Sequence, residues 1–204
     1  MEDPVLVSFQ TFDRQAAKLL ASEAAPADVT EDRRRVEKFL FRTGRPVPNV
    51  LVLGDDLAAR ARQIDELGGA AVGVADGENV IALANQRYPG GHFLRGDPRQ
   101  PLVDSGAFDG VWAGTLLWRI PRYSAPAALA GAHKALRPGG LLYVHLRLGD
   151  EEGFRQTAEG AVYNVRWNEQ RFCEALGVLD FDRIDRDEIA DDPVEVGLTF
   201  RREY

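Results

Sequence analysis

The sequence predicts an α/β domain on a mainly parallel sheet, closed at its C-terminal end by an antiparallel hairpin. Three observations predict it. From Asn49 onward, short apolar runs alternate with segments of helical spacing, the pattern of strand–helix–strand units. The clearest run, Val50-Leu51-Val52-Leu53, lacks in–out alternation, as expected of a strand covered on both faces. Two late strands, over 178–184 and 194–200, are separated by too little chain for a crossover, so they pair antiparallel.

Two helices come first. Val5, Phe9, Phe12, Ala16 and Leu19-Leu20 recur at helical spacing. Pro26 interrupts this pattern, and Thr30 is placed to cap a second helix through Val36, Phe39 and Leu40. Gly44, Pro46 and Pro48 close it. A strand over 50–53 ends at Gly54, and a helix over 57–67 ends at Gly68-Gly69. A strand follows over 70–74, then a helix over 80–86 closed by Pro89-Gly90-Gly91. A weak strand over 92–94 and a strand over 108–112 come next, the latter between Asp104-Ser105-Gly106 and Gly114. After a helix over 125–136, the turn Arg137-Pro138-Gly139-Gly140 feeds a strand over 141–146. The segment 149–165 is polar, contains glycine and lacks clear periodicity. It reads as a loop, a candidate lid with Tyr163 as its aromatic contribution. Asn168 caps a helix over 168–176.

A length of 204 residues fits one domain with a small appendage. The expected division is a helical extension over 1–45, packed on an α/β domain over 46–204. Hydrophobic residues at 45% and charged residues at 28% exclude a disordered or fibrous chain. Net charge is -7, which argues against nucleic acid and anionic lipid as partners. No apolar run has the length of a membrane span, and the acidic start is unlike a basic signal peptide. The one cysteine, Cys173, excludes a disulfide framework and a multi-cysteine zinc site. A cytoplasmic monomer or homodimer is the default expectation.

In such sheets, ligands bind outside the carboxyl ends of the strands, near the switch in strand order. That directs attention to Gly54-Asp55, Ala75-Asp76, Gly96-Asp97, Ala113-Gly114 and Leu146-Arg147. The stretches VLVLGDD (50–56), AVGVADGENVIALANQR (71–87), FLRGDPRQPLVDSGAFDGVWAG (93–114) and ALRPGGLLYVHL (135–146) follow in order and spacing. They resemble class I S-adenosylmethionine-dependent methyltransferases. The segment VWAGTLLWRIPR is most similar to the small bacterial, small-molecule type.

The resemblance implies a Rossmann-like, doubly wound, seven-stranded sheet with helices on both faces. It implies S-adenosylmethionine as methyl donor and a small-molecule acceptor. Gly54, Asp55, Asp76, Gly96, Asp97, Ala113, Gly114 and Trp118 are the implied donor-binding positions, Asp97 facing the adenine. His145, near the end of the fifth strand, is the candidate general base; its competing reading is a hydrogen-bonded strand histidine. His92 and His133 read as loop and helix-surface residues.

Three departures from the family pattern stand out. The glycine-rich first loop is reduced to Leu53-Gly54-Asp55-Asp56-Leu57-Ala58, a degenerate motif that keeps one glycine. Two aspartates there would repel a methionyl carboxylate. Gly73-Val74-Ala75 puts alanine where the ribose-binding acid is expected, with Asp76 one residue later. Trp118-Arg119 stands where this branch often carries histidine. Trp118 is read either as a stacking group or as a packed aromatic, and Arg119 as an anchor for an acidic acceptor or as a solvated side chain.

These departures keep a second function open: a methyltransferase-like pseudoenzyme that has lost the donor and serves as a binding or interaction module. A nicotinamide dehydrogenase is disfavoured, since G-x-G-x-x-G is absent after the first strand. Asp55-Asp56 alone is a poor metal site, so no metal is expected.

Overall fold

In the computed structural model, residues 3–21, 33–54, 57–191 and 194–203 are described. The strands are β1 (Asn49–Leu53), β2 (Ala70–Ala75), β3 (His92–Arg95), β4 (Phe108–Trp112), β5 (Leu136–Arg147), β6 (Glu152–Gln156), β7 (Ala161–Val165), β8 (Phe181–Asp191) and β9 (Val194–Arg202). The helices are α1 (Pro4–Leu20), α2 (Arg33–Arg42), α3 (Leu57–Glu66), α4 (Glu78–Arg87), α5 (Ala125–Ala135) and α6 (Glu169–Gly177). Seven strands form one sheet in the order β3-β2-β1-β4-β5-β9-β8. The first five run parallel, whereas β9 is antiparallel to both β5 and β8. The chain moves outward from β1 to β3, then returns to place β4 on the other side of β1. Between the carboxyl ends of β1 and β4 lies the switch point.

Alternation sorts the side chains of the central strands into two cores. Val50 and Val52 of β1 face Val36, Phe39 and Leu40 of α2 and Leu57, Ala61 and Ile64 of α3. Leu51 and Leu53 face the other way, into a cluster with Val5 and Phe9 of α1, Leu129 of α5 and Phe172 of α6. On the first face Trp112 stacks on Tyr143 with ring centroids 3.8 Å apart, and Phe39 meets Trp112 edge-on at 5.3 Å. Phe39 fits because residue 110 is glycine: a Cβ there would lie 2.7 Å from the ring. Buried Arg60 lies over Trp112 at 4.7 Å and donates to Gln63 Oε1 at 2.7 Å.

Three expectations change. The polar segment 149–165 is a second, two-stranded sheet, β6–β7, instead of an irregular loop. Its backbone groups pair strand to strand, and β7 packs against α1. The strand expected over 178–184 starts later, at Phe181, and runs to Asp191. Asp180 turns the chain into it with φ +56°, a conformation aspartate tolerates better than most residues. β5 begins pairing before the Arg137-Pro138-Gly139-Gly140 turn: Leu136 pairs with Phe108 and Leu141 with Gly110, the turn forming an irregularity between them. Thr30, the expected cap of α2, lies outside the described residues. Asn168 does cap α6, its side chain accepting from Arg171 N at 3.0 Å.

Helix α1 bridges several elements. Asp3 caps it, accepting from Val5 N at 2.9 Å. Asp13 reaches α4, where Oδ1 accepts from Asn79 N at 2.7 Å and Val80 N at 3.2 Å. Those are N-terminal amides of a helix whose own cap, Gly77, has no side chain. On the other side, Thr11 Oγ1 donates to Ala161 O at 2.8 Å, and Ser8 Oγ accepts from Tyr163 N at 2.8 Å. Both hydroxyls are buried and both are satisfied.

Candidate active site at the carboxyl edge of the sheet

The carboxyl ends of β1, β2, β3 and β4 assemble most of the residues singled out from the sequence. Gly54 leaves β1 with φ +118°. An added Cβ would sit 3.8 Å from Leu116, ordinary contact, so the backbone angle rather than crowding demands glycine here. Asp55 lies outside the described residues. Ala75 is the last paired residue of β2 and is buried among Leu57, Ala84 and their neighbours. Asp76 is the first residue beyond the sheet. Its carbonyl accepts from Arg95 Nε at 3.0 Å, while its carboxylate has no partner among the described residues.

Gly96 continues from β3 and donates its N–H to Ala75 O at 2.9 Å. Asp97, next in sequence, is clasped by Arg99. Arg99 N and Nε donate to Oδ1 at 2.8 and 3.0 Å, and Nε and Nη2 donate to Oδ2 at 3.0 and 2.7 Å. Arg99 Nη1 also donates to Asp3 Oδ2 at 2.7 Å, so one guanidinium ties the end of β3 to the first turn of α1. The Asp97 hydrogen bond, with help from Asp3, pushes the Arg99 pKa up against the opposing effect of burial. Burial alone would raise the Asp3 carboxyl; the Arg99 and Val5 N–H donors outweigh it and hold it below the ordinary value.

On the other side of the switch point, Ala113 and Gly114 follow β4, Gly114 with φ +42°. Gly114 O accepts from His145 N at 2.8 Å, which fixes this turn to β5. Trp118 ends a 3-10 turn over Leu116–Trp118 and is buried. Its Nε1 donates to His145 O at 2.8 Å, and the Arg147 guanidinium covers the ring at 3.6 Å. Trp118 is therefore a packed aromatic whose polar atom is satisfied. His145 Nε2 lies 2.8 Å from Glu195 Oε2, and Arg147 Nε donates to Oε1 of the same carboxylate at 2.8 Å. Arg119 lies over Phe12 of α1 at 4.2 Å, so it is neither simply solvated nor a bare anchor.

Alpha1 and the β6–β7 hairpin stand over this edge. Arg122 N and Nη1 contact the two oxygens of Glu152 at 2.9 and 3.2 Å, and Tyr163 OH donates to Oε1 at 3.1 Å. Burial, then Glu152, raises the Tyr163 pKa, so it stays a neutral donor. His133 and His92 lie apart from this edge. His92 opens β3 and is exposed, whereas His133 packs its ring against Phe181 at 5.3 Å with Nε2 buried, more enclosed than a helix-surface residue.

The sequence reading missed Asp3, Arg99, Phe12 and Glu195. Only Arg99 left a local sign: an Asp accepting from the N–H two residues on is an Asx turn, and Asp97-Pro98-Arg99 has its composition.

A family model described as a methyltransferase domain matches residues 55–144, from the end of β1 into β5. No curated protein matches the chain. Among solved structures, the chain is similar to the Burkholderia thailandensis 1,6-didemethyltoxoflavin-N1-methyltransferase, crystallised with 1,6-didemethyltoxoflavin and S-adenosylhomocysteine. Identity is 19%, covering 100% of this chain and 92% of that one, with a TM-score of 0.72. It is similar to an S-adenosylmethionine-dependent methyltransferase from Mesorhizobium loti (17% identity, 86% and 99% covered, TM-score 0.67). It is also similar to the [4+2]-cyclase SpnF (14% identity, 98% and 96% covered, TM-score 0.71). At these identities the structural likeness speaks for the fold, and the domain match speaks for the family. The chain carries a methyltransferase domain over residues 55–144, on the fold shared with S-adenosylmethionine-dependent methyltransferases.

Proposed function

We propose that this chain transfers a methyl group from S-adenosylmethionine to a small-molecule acceptor. The observation that carries the reading is the set at the β1/β4 switch point. Gly54 has the left-handed backbone angle of the first turn, and Asp76 presents a carboxylate with no partner among the described residues. Gly96-Asp97 and Gly114 complete the row. This set suits a nucleoside donor: an acid for a ribose diol and a fixed acid for an adenine amine, beside a turn that lets backbone approach. The donor, when bound, supplies an electrophilic methyl on a sulfonium centre.

The protein's part is positioning and exclusion of water. Gly54 gives access at the amino-acid end, Asp76 accepts from the ribose hydroxyls, and Asp97 receives the adenine amine. Arg99 already fills much of the Asp97 acceptor capacity, so this contact uses a lone pair that Arg99 leaves. Ala113, Gly114 and the Trp118 turn form the wall beside the reacting centre, with α1 as the roof. An acceptor that must lose a proton has His145 as its base, the ring being held by Glu195 2.8 Å from Nε2. The enclosed edge and the small-molecule ligand of the Burkholderia neighbour both support a small acceptor.

Titration calorimetry with S-adenosylhomocysteine tests the donor site. Micromolar affinity, about -8 kcal/mol, is expected. Asp76→Ala and Asp97→Ala are each expected to weaken it at least tenfold. No heat from the wild-type chain at millimolar ligand refutes the reading.

A further inference from the structure

A cleft of about 410 Å³ opens between the end of β5 and the β6–β7 hairpin, its charged walls formed by Arg147, Glu151, Glu152, Arg155 and Arg166. Two of these charges are already matched. Both Glu152 oxygens are held by Arg122, and one of them also by Tyr163. Arg147 is matched by Glu195. Arg155 Nη2 and Arg166 Nε are different, because they share one oxygen, Oε2 of Glu151, each at 3.4 Å. A well-made charge-assisted bond is about 2.7–2.9 Å, so both contacts are long. The Glu151 side chain is 71% exposed, and such surface pairs contribute about 0–1 kcal/mol. Two guanidiniums thus face the cleft with a single, easily displaced acceptor between them. A chain of net charge -7 has no general attraction for anions, so local pairing decides what this cleft takes.

We infer that the cleft is the anion-binding end of the acceptor site, and that the acceptor is a small molecule carrying a carboxylate or phosphate. This rests on the methyltransferase reading above. The anionic group displaces Glu151 and supplies separate oxygens to Arg155 and Arg166, which carboxylate and phosphate geometry match. Half-exposed Phe154, edge-on to Tyr163 at 5.0 Å, offers an apolar flank for the acceptor's body. On the inner side Arg147 forms both a cleft wall and the cover of Trp118, so the cleft adjoins the turn after β4.

The test uses the full chain saturated with S-adenosylhomocysteine, and phenyl phosphate, benzoate and neutral benzyl alcohol as probes in ligand-observed NMR. The two anions are expected to bind, with benzyl alcohol at least tenfold weaker. Arg155→Gln with Arg166→Gln is expected to remove anion binding and leave S-adenosylhomocysteine affinity unchanged. Glu151→Gln, which removes the competing carboxylate from an exposed position, is expected to tighten anion binding several-fold. An interligand NOE between a probe ring and S-adenosylhomocysteine is expected as well. Equal binding of benzyl alcohol, anion binding that survives the double substitution or is not tightened by Glu151→Gln, or a missing NOE with both ligands bound overturns the inference. Phosphate and carboxylate sources are told apart by which probe binds more tightly. If S-adenosylhomocysteine binds and neither anion does, this inference fails and the donor reading stands. If S-adenosylhomocysteine does not bind, the donor reading fails, and anion binding alone then also overturns the acceptor assignment.

Discussion

Replacing Arg99 with alanine isolates the clasp that ties α1 to the end of β3. The side chain is 16% exposed, while its partners Asp97 and Asp3 are 34% and 35% exposed. Hydrogen bonds to charged groups contribute about 1.5–3 kcal/mol each when sheltered. Here both carboxylates keep a third of their surface in water, and the bonds form one cooperative unit. A total loss of about 2 kcal/mol follows after that discount. For a domain of this size, each kcal/mol shifts the melting temperature by about 2–4 °C, so Arg99→Ala should melt about 4–8 °C lower. Lysine is a point charge and cannot reproduce a fork that grips one carboxylate and touches a second, so Arg99→Lys should recover less than half of the loss.

The pH dependence has a definite sign. Asp3 has a lowered carboxyl pKa, so its contribution is fully present above the ordinary value of 3.8 and is lost as pH falls through the lower folded value. The gap between wild type and Arg99→Ala should therefore be constant from pH 7 to pH 5 and shrink below pH 3.8. Thermal unfolding followed by circular dichroism across that range measures it. A gap under 1 °C at pH 7, or one that grows in acid, refutes the clasp as a stabilising contact.

Other changes probe the frame around the site. Gly110→Ala drives a Cβ to 2.7 Å from the Phe39 ring, itself wedged against Trp112 and Tyr143, so overpacking should cost about 1–3 kcal/mol in urea unfolding. Asp13→Ala removes the only side-chain acceptor described for the first amides of α4 and should cost about 1 kcal/mol, whereas Asp13→Asn should keep part of it. His133 has its pKa lowered by burial first and by Arg202 second, so folding favours the neutral ring. That stability is present above pH 6.5 and is lost as pH falls toward the folded value. A His133→Gln chain should show a flatter melting profile between pH 7 and pH 5.

What the sequence revealed follows from how each element is stabilised. Strands β1, β2, β4 and β5 are covered on both faces, so their apolar runs announce them. The β6–β7 hairpin is not self-announcing: Glu152-Gly153-Phe154-Arg155-Gln156 has no buried face of its own and is held in part by Ser8 and Thr11 of α1. A window of local sequence contains neither contact. The carboxyl-edge positions were legible because topology alone fixes them: Gly54, Asp76, Gly96 and Asp97 each end a strand or follow one. The partners of those residues were not. Asp3 and Arg99 are separated by 96 positions, and Glu195 reaches His145 only because β9 pairs antiparallel with β5. Trp118 allowed two readings until its burial and its bond to His145 O chose packing.

The contacts of α1 show how it is seated at the carboxyl edge of the sheet. Its apolar contribution is small, chiefly Val5, Phe9 and Ala16, and apolar burial is non-directional. Direction comes from polar anchors. Asp3 binds through Arg99 to the end of β3, Ser8 and Thr11 hold β7, and Asp13 holds the start of α4 just beyond Asp76. Each anchor ends on an element whose terminus lines or roofs the carboxyl edge. Hydrogen bonds and ion pairs tolerate little displacement, so polar anchors to three elements from one rigid helix fix its register over the carboxyl edge to within a fraction of a turn. A shift of α1 by one turn would break all three together. The roof therefore has one seated position, and the contacts that seat it are the same ones that hold Asp97 and the first turn after Asp76 in place.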